Sequence, residues 1–98
     1  MNIYHLSQDK NRGYDTYSDM VVIADDEEQA KRLHPRMEND SDSDIYYNDE
    51  KKVWMNGSEE DCWNEWVSDL SLINIKEIGI AHVDETKARI VCASYHAG

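Results

Sequence analysis

The chain has 98 residues and carries 21 acidic against 10 basic side chains, a formal net charge of −11. That length supports one domain, residues 1–98, with a single modest core. The charge argues against direct binding to nucleic-acid phosphate or to an anionic membrane, since both need a basic surface. No run of about 18 apolar residues exists to span a bilayer. The opening MNIYHLSQDK lacks the basic head and apolar middle of a secretory signal, so a cytoplasmic protein is expected.

Residues 2–6 read as a first strand, with Ile3 and His5 on one side and Tyr4 and Leu6 on the other. A polar loop over 7–19 follows. Met20 to Ala24 is an apolar run rich in β-branched residues, which predicts a strand buried on both faces. Asp25 or Asp26 is placed to cap a helix, with Asp25 and Glu28 at capping-box spacing. Glu27–Lys31 and Glu28–Arg32 are i,i+4 pairs in the favourable acid-first order. Pro35 disfavours helical geometry at His34, so the helix should end there.

Residues 36–44 have no apolar periodicity and many turn residues. Asp44–Tyr47 and Val53–Met55 flank NDEKK and predict a short hairpin, and Asn56-Gly57 is a turn signal. Ser58 and the acids after it open a predicted helix over 59–68, with Cys62, Trp63, Trp66 and Val67 at helical spacing. Residues 72–82 predict a strand in which Ile73 and Ile75, then Ile78 and Ile80, alternate on opposite parity, so a bulge is expected near 76–79. Residues 87–95 predict a last strand forming a hairpin with 72–82. The expected fold is α+β: one antiparallel or mixed sheet of four to six strands with one or two short helices on one face. Cys62 and Cys92 have no CxxC spacing and are expected to be reduced, buried and inert.

Taken together, QDKNRGYDTYSDMVVIADDEEQAKRLHP, the stretch from Trp63 to Val67, IKEIGIA and the terminal VCASYHAG resemble a family of small proteins encoded by bacteriophages and prophages. The resemblance covers most of the chain and is weakest over 36–60. It implies a phage origin and a bacterial cytoplasmic setting, and brings no catalytic residues with it. Small acidic phage proteins are often inhibitors of host or defence proteins, anti-CRISPR and anti-restriction proteins among them; that step is analogy by class.

The acid is unevenly spread. Residues 1–35 carry four basic and seven acidic side chains, 36–69 carry three and eleven, and 70–98 carry three and three. Carboxylates set along a loop and hairpin offer a basic groove what a phosphate backbone offers. The expected contact set is Asp40, Asp42, Asp44, Asp49, Glu50, Glu59, Glu60 and Asp61, directed at a basic surface of a host or defence protein. An alternative is a small-molecule or nucleotide site in the 8–19 loop, using Arg12, Tyr14 and Tyr17. Asp40, Asp42 and Asp44 open like a calcium loop, but the sixth and twelfth positions hold Ile45 and Lys51 where glycine and glutamate are needed. The cysteines and histidines lack zinc-motif spacing, and no nucleophile or phosphate-loop motif is present. No metal, cofactor or enzymatic activity is therefore expected. The state is expected to be a monomer, or a homodimer formed through a flat 87–95 edge.

Overall fold

The computed structural model describes residues 1–10, 16–38, 44–60, 65–82 and 86–96. Among them are seven strands in two antiparallel sheets, one short helix and two 3-10 turns. The larger sheet has the order β6-β1-β2-β7, made of β1 (Asn2–Ser7), β2 (Thr16–Ala24), β6 (Asn74–Ile80) and β7 (Arg89–His96). The smaller holds β3 (Ile45–Asn48), β4 (Val53–Asn56) and β5 (Glu59–Glu60) in that order. The α+β expectation of one sheet thus resolves into two.

The alternation in β1 is as expected: Tyr4 and Leu6 are buried, while Ile3 and His5 face the other side and are half-buried. Leu6 lies opposite Met20 and Tyr4 opposite Val22, so one side of the central hairpin is continuous core. Ile23, on the opposite face beside Ile3, is also buried. A strand pair with apolar residues on both faces belongs in the middle of a sheet. That preference displaces the hairpin expected between 72–82 and 87–95. Instead β6 pairs with β1 and β7 with β2, at opposite margins. The eight residues between them carry the chain across three inter-strand spacings, roughly 14 Å. Pairing with β7 also starts β2 at Thr16, four residues earlier than the apolar run alone indicates. The expected bulge is present: Glu77 faces Tyr4 and Gly79 faces Ile3, leaving Ile78 as the extra residue.

Helix α1 (Glu27–Lys31) is capped by Asp26, whose carboxylate accepts from Gln29 N at 2.8 Å. Gln29 Oε1 in turn accepts from Asp25 N at 2.6 Å, so the box closes through Gln29 and not Glu28. The helix ends before His34, and Pro35 opens a 3-10 turn over Pro35–Glu38, its missing N–H costing nothing at that position.

No helix occupies the described part of 59–68; residues 61–64, with Cys62 and Trp63, lie outside the described residues. Gly57, at φ +64°, closes a two-residue turn that returns Glu59 and Glu60 to pair with β4. Beyond it, the carbonyls a helix would use are taken by other partners. Glu65 O accepts from Tyr17 N at 2.9 Å, Val67 O from Trp54 Nε1 at 3.0 Å, and Ser68 O from the Tyr47 hydroxyl at 2.8 Å. Trp66 and Val67 are nevertheless buried, as their apolar character requires. Cys92 is exposed on β7, contrary to the buried thiol expected, because its position faces away from the core cluster.

Trp54 joins these pieces. It is 2 % exposed, its ring meets the edges of His34 and Tyr47 at centroid distances of 5.0 Å each, and its N–H holds Val67 O. Trp54→Phe keeps much of the ring and strands the Val67 carbonyl, which costs about 1–3 kcal/mol. Urea denaturation should show a midpoint drop of that size with unchanged slope; a change under about 0.5 kcal/mol would show that the bond to Val67 contributes little.

Candidate functional site

The small sheet is where the acidic side chains collect, and its two turns decide how they are displayed. In the β3–β4 turn, Asn48 Oδ1 accepts from Glu50 N and Lys51 N, both at 3.0 Å, and Lys52 takes a left-handed φ of +58°. Glu50 is exposed at that tip. At the opposite end the Asp44 carbonyl accepts from Gly57 N at 3.1 Å, which sets Asp44 beside the β4–β5 turn and the exposed Glu59 and Glu60. The two ends are separated by the length of β3, about 13 Å. Glu60 shares a sheet face with Met55 and the exposed Tyr46, whereas Glu59 shares the other with Asn56 and Ile45.

The eight carboxylates expected to act together therefore divide. Asp44, Glu50, Glu59 and Glu60 are exposed and make no ion pair with any described residue. Asp49 is engaged: Arg32 holds it through NH2 at 2.6 Å and Nε at 3.1 Å, and reaches Glu28 through NH1 at 3.0 Å. The Arg32 bond holds the Asp49 carboxyl below its ordinary range, and the Asp49 and Glu28 bonds together raise the Arg32 guanidinium. Asp40, Asp42 and Asp61 lie outside the described residues.

Beside the Arg32 clamp a cleft of about 270 Å³ opens between α1, the β3–β4 turn and the 3-10 turn Leu70–Leu72. Lys31, Arg32 and Lys52 line it together with Glu28, Asp49 and Asp69, three cations against three carboxylates. Asp69 accepts from Ser71 Oγ at 2.6 Å and Ser71 N at 3.0 Å, bonds that keep its carboxyl below the usual range. Burial, aided by Asp49 and Asp69, raises the Tyr47 phenol, which donates to Ser68 O. Arg32, Asp49 and Tyr47 join three segments of the chain here, while Lys31 and Lys52 line the cleft without a side-chain hydrogen bond or ion pair among the described residues.

Of the alternative site only Tyr17 is among the described residues. Its ring packs at 4.7 Å from that of Tyr95, its N–H donates to Glu65 O, and its carbonyl accepts from Gln8 Nε2 at 2.7 Å. It serves the margin of the core. Arg12 and Tyr14 lie outside the described residues, and the cleft at Arg32 is lined by other segments.

Two groups had no signal in the sequence. The Arg32–Asp49 pair joins residues 17 apart that no local pattern links. His34, fully buried against Trp54, is pushed down to about 3 from 6.5, by burial first and by the Arg36 charge second. Its Nδ1 accepts from Arg36 N at 3.1 Å, which fits a neutral ring.

Comparison with known protein families, with curated proteins and with solved structures finds no match. Among the described residues no helix is long and apolar enough to cross a membrane.

The His34 environment gives a pH dependence whose sign is fixed. The folded protein keeps the ring neutral down to about pH 3, while the unfolded chain takes up a proton near 6.5. Stability is therefore complete above 6.5 and drains as the pH falls toward 3. Between pH 6.5 and about 5 the loss should be about 1.5–2 kcal/mol, ahead of the carboxylates, and His34→Gln should flatten it. Denaturation midpoints at the two pH values check this; equal losses in wild type and variant would place the titration elsewhere.

Proposed function

We propose that this chain is an acidic binding protein that occupies a basic surface of another protein. The observation that carries the reading is the display of Asp44, Glu50, Glu59 and Glu60, with no ion pair among the described residues, on a small sheet tied to the rest of the fold in a chain of net charge −11. Exposed carboxylates left without partners keep their full field for an incoming cationic surface and speed its encounter. Arg32 is already saturated by Glu28 and Asp49, so it does not quench the others. Asp40, Asp42 and Asp61 extend the same set along the sequence, and Asp49 supports the turn that presents Glu50. The resemblance to phage-encoded proteins supports a narrower version: an inhibitor of a host or defence protein in the bacterial cytoplasm, seated in a nucleic-acid groove in the manner of anti-CRISPR or anti-restriction proteins.

The test is capture from a bacterial lysate at two salt concentrations with a charge-reversed control. Wild-type protein should retain a partner at about 50 mM salt and lose most of it at about 500 mM, where the Debye length falls to a few ångströms. Glu59→Lys with Glu60→Lys should lose the partner at low salt, while Glu27→Lys on α1 should keep it. Retention of the same partner by the double variant at both salts would refute the reading.

A further inference from the structure

In the cleft of about 270 Å³ beside Arg32, the charges bonded within the chain and the charges left over differ in sign. Asp49 meets Arg32 through both carboxylate oxygens, Glu28 meets it at 3.0 Å, and Asp69 accepts twice from Ser71 through Oδ1. All three carboxylates of the lining are thus held by bonds inside the molecule. Lys31 and Lys52 line the same cleft, and neither side chain has a hydrogen bond or ion pair among the described residues. The Lys52 charge lowers the Asp49 and Asp69 carboxyls through space, without a bond to either. The Arg32 clamp also fixes where the two lysines stand. Lys31 precedes Arg32 at the end of α1, and Lys52 lies in the β3–β4 turn that Asp49 ties to Arg32. Lys52 holds a left-handed φ of +58°. Glycine takes that conformation without steric cost, so a lysine there costs the fold stability that a glycine would not. Backbone strain of this kind clusters at ligand sites.

We infer that this cleft binds one phosphate group, free or carried on a small ester, through the ammoniums of Lys31 and Lys52. A phosphate monoester carries about −1.5 to −2 at neutral pH, so two ammoniums balance it, whereas a carboxylate balances only one. Lysine meets phosphate as a point charge and needs no planar fork. Arg32, the one guanidinium in the lining, is already occupied by Asp49 and Glu28. The lining as a whole is balanced, so the attraction arises because its carboxylates face Arg32 and Ser71 while the two ammoniums have no bonded partner. The net charge of −11 opposes a polyanion, whose other phosphates would extend past the cleft. A single phosphate meets chiefly the lining, because the rest of the field is screened beyond about 8 Å at physiological salt. Leu70 and Tyr47 supply the apolar wall that the carbon part of an ester requires. The site uses none of the 8–19 loop, and it does not involve Glu59 or Glu60.

The test is a titration of the full chain with inorganic phosphate and, separately, with glycerol 3-phosphate, at ionic strength held constant with chloride and followed by amide chemical shifts. The amides of Lys31, Lys52 and Ser71 should move and saturate with a Kd of about 1–10 mM, the weak end of the affinity scale. Tighter binding of the ester would assign a phosphorylated small molecule and equal binding the free ion; either supports the site. Lys31→Gln and Lys52→Gly should each weaken binding roughly fivefold, the upper value for one exposed ion pair. Lys52→Gly should at the same time raise the urea midpoint by relieving the left-handed lysine, a gain that a loss through unfolding could not produce. Lys51→Gln removes the same charge from the same turn outside the cleft and should bind as wild type does. Glu59→Lys with Glu60→Lys, which should abolish partner capture, should not weaken phosphate binding, so either proposal can fail without the other. No saturable shift from either ligand would overturn the inference. So would lysine variants that bind as wild type does, or an equal loss in Lys51→Gln, which would mark an adventitious ion only.

Discussion

One buried indole determines how the two sheets of this protein meet. Trp54 sits on the small sheet, but its neighbours come from elsewhere: His34 from the turn after α1 and Val67 from the segment that precedes β6. Burying an indole N–H without a partner is costly, so the Val67 carbonyl must stay within reach. That requirement keeps residues 65–69 out of a helix, and Trp66 and Val67 are buried in the core. Tyr47 repeats the arrangement one strand away, with its ring against Trp54 and its hydroxyl on Ser68 O. The chain has no phenylalanine, so residues with a polar tip must fill the aromatic volume. The tips of Trp54 and Tyr47 meet backbone carbonyls, which ties core packing to particular positions, whereas the Trp66 indole N–H is buried without a hydrogen-bond partner.

This anchoring bears on function because it ties the acidic sheet to the rest of the fold through Trp54, Tyr47 and Asp49. Asp44, Glu59 and Glu60 are held around a turn fixed by the Gly57 backbone, and Glu50 sits on a turn fixed by Asn48. Arg32 clamps the second turn to α1 through Asp49 and Glu28. The small sheet as a result presents Asp44, Glu50, Glu59 and Glu60 without ion pairs among the described residues, with Lys51 and Lys52 exposed beside Glu50 on the turn.

Local features were legible in the sequence, and long-range choices were not. The strand at 2–6, the cap at Asp26, the stop at Pro35, the 45–56 hairpin and the bulge at Ile78 all follow from residues close to one another in the chain. The pairing of 72–82 with 87–95 looked favourable because the two are adjacent in sequence. It failed because the β1–β2 hairpin is apolar on both faces and takes the centre of the sheet. The helix over 59–68 failed because Trp66 and Val67 read equally well as helical or as extended apolar residues, and only the donors of Tyr17, Trp54 and Tyr47 decide between them. At the site, the concentration of acid in the middle third was plain from composition. The withdrawal of Asp49 was not, since its partner Arg32 is distant in the chain and close only after folding.

The most direct measurement is residue-level carbodiimide labelling of carboxylates, made on the free protein and on its captured complex. Asp44, Glu50, Glu59 and Glu60 should react in the free protein and become protected in the complex, while Asp25 and Glu27, also exposed, should react equally in both. Protection confined to α1, or a complex in which the small-sheet carboxylates stay fully reactive, would contradict the assignment of the acidic sheet as the binding surface.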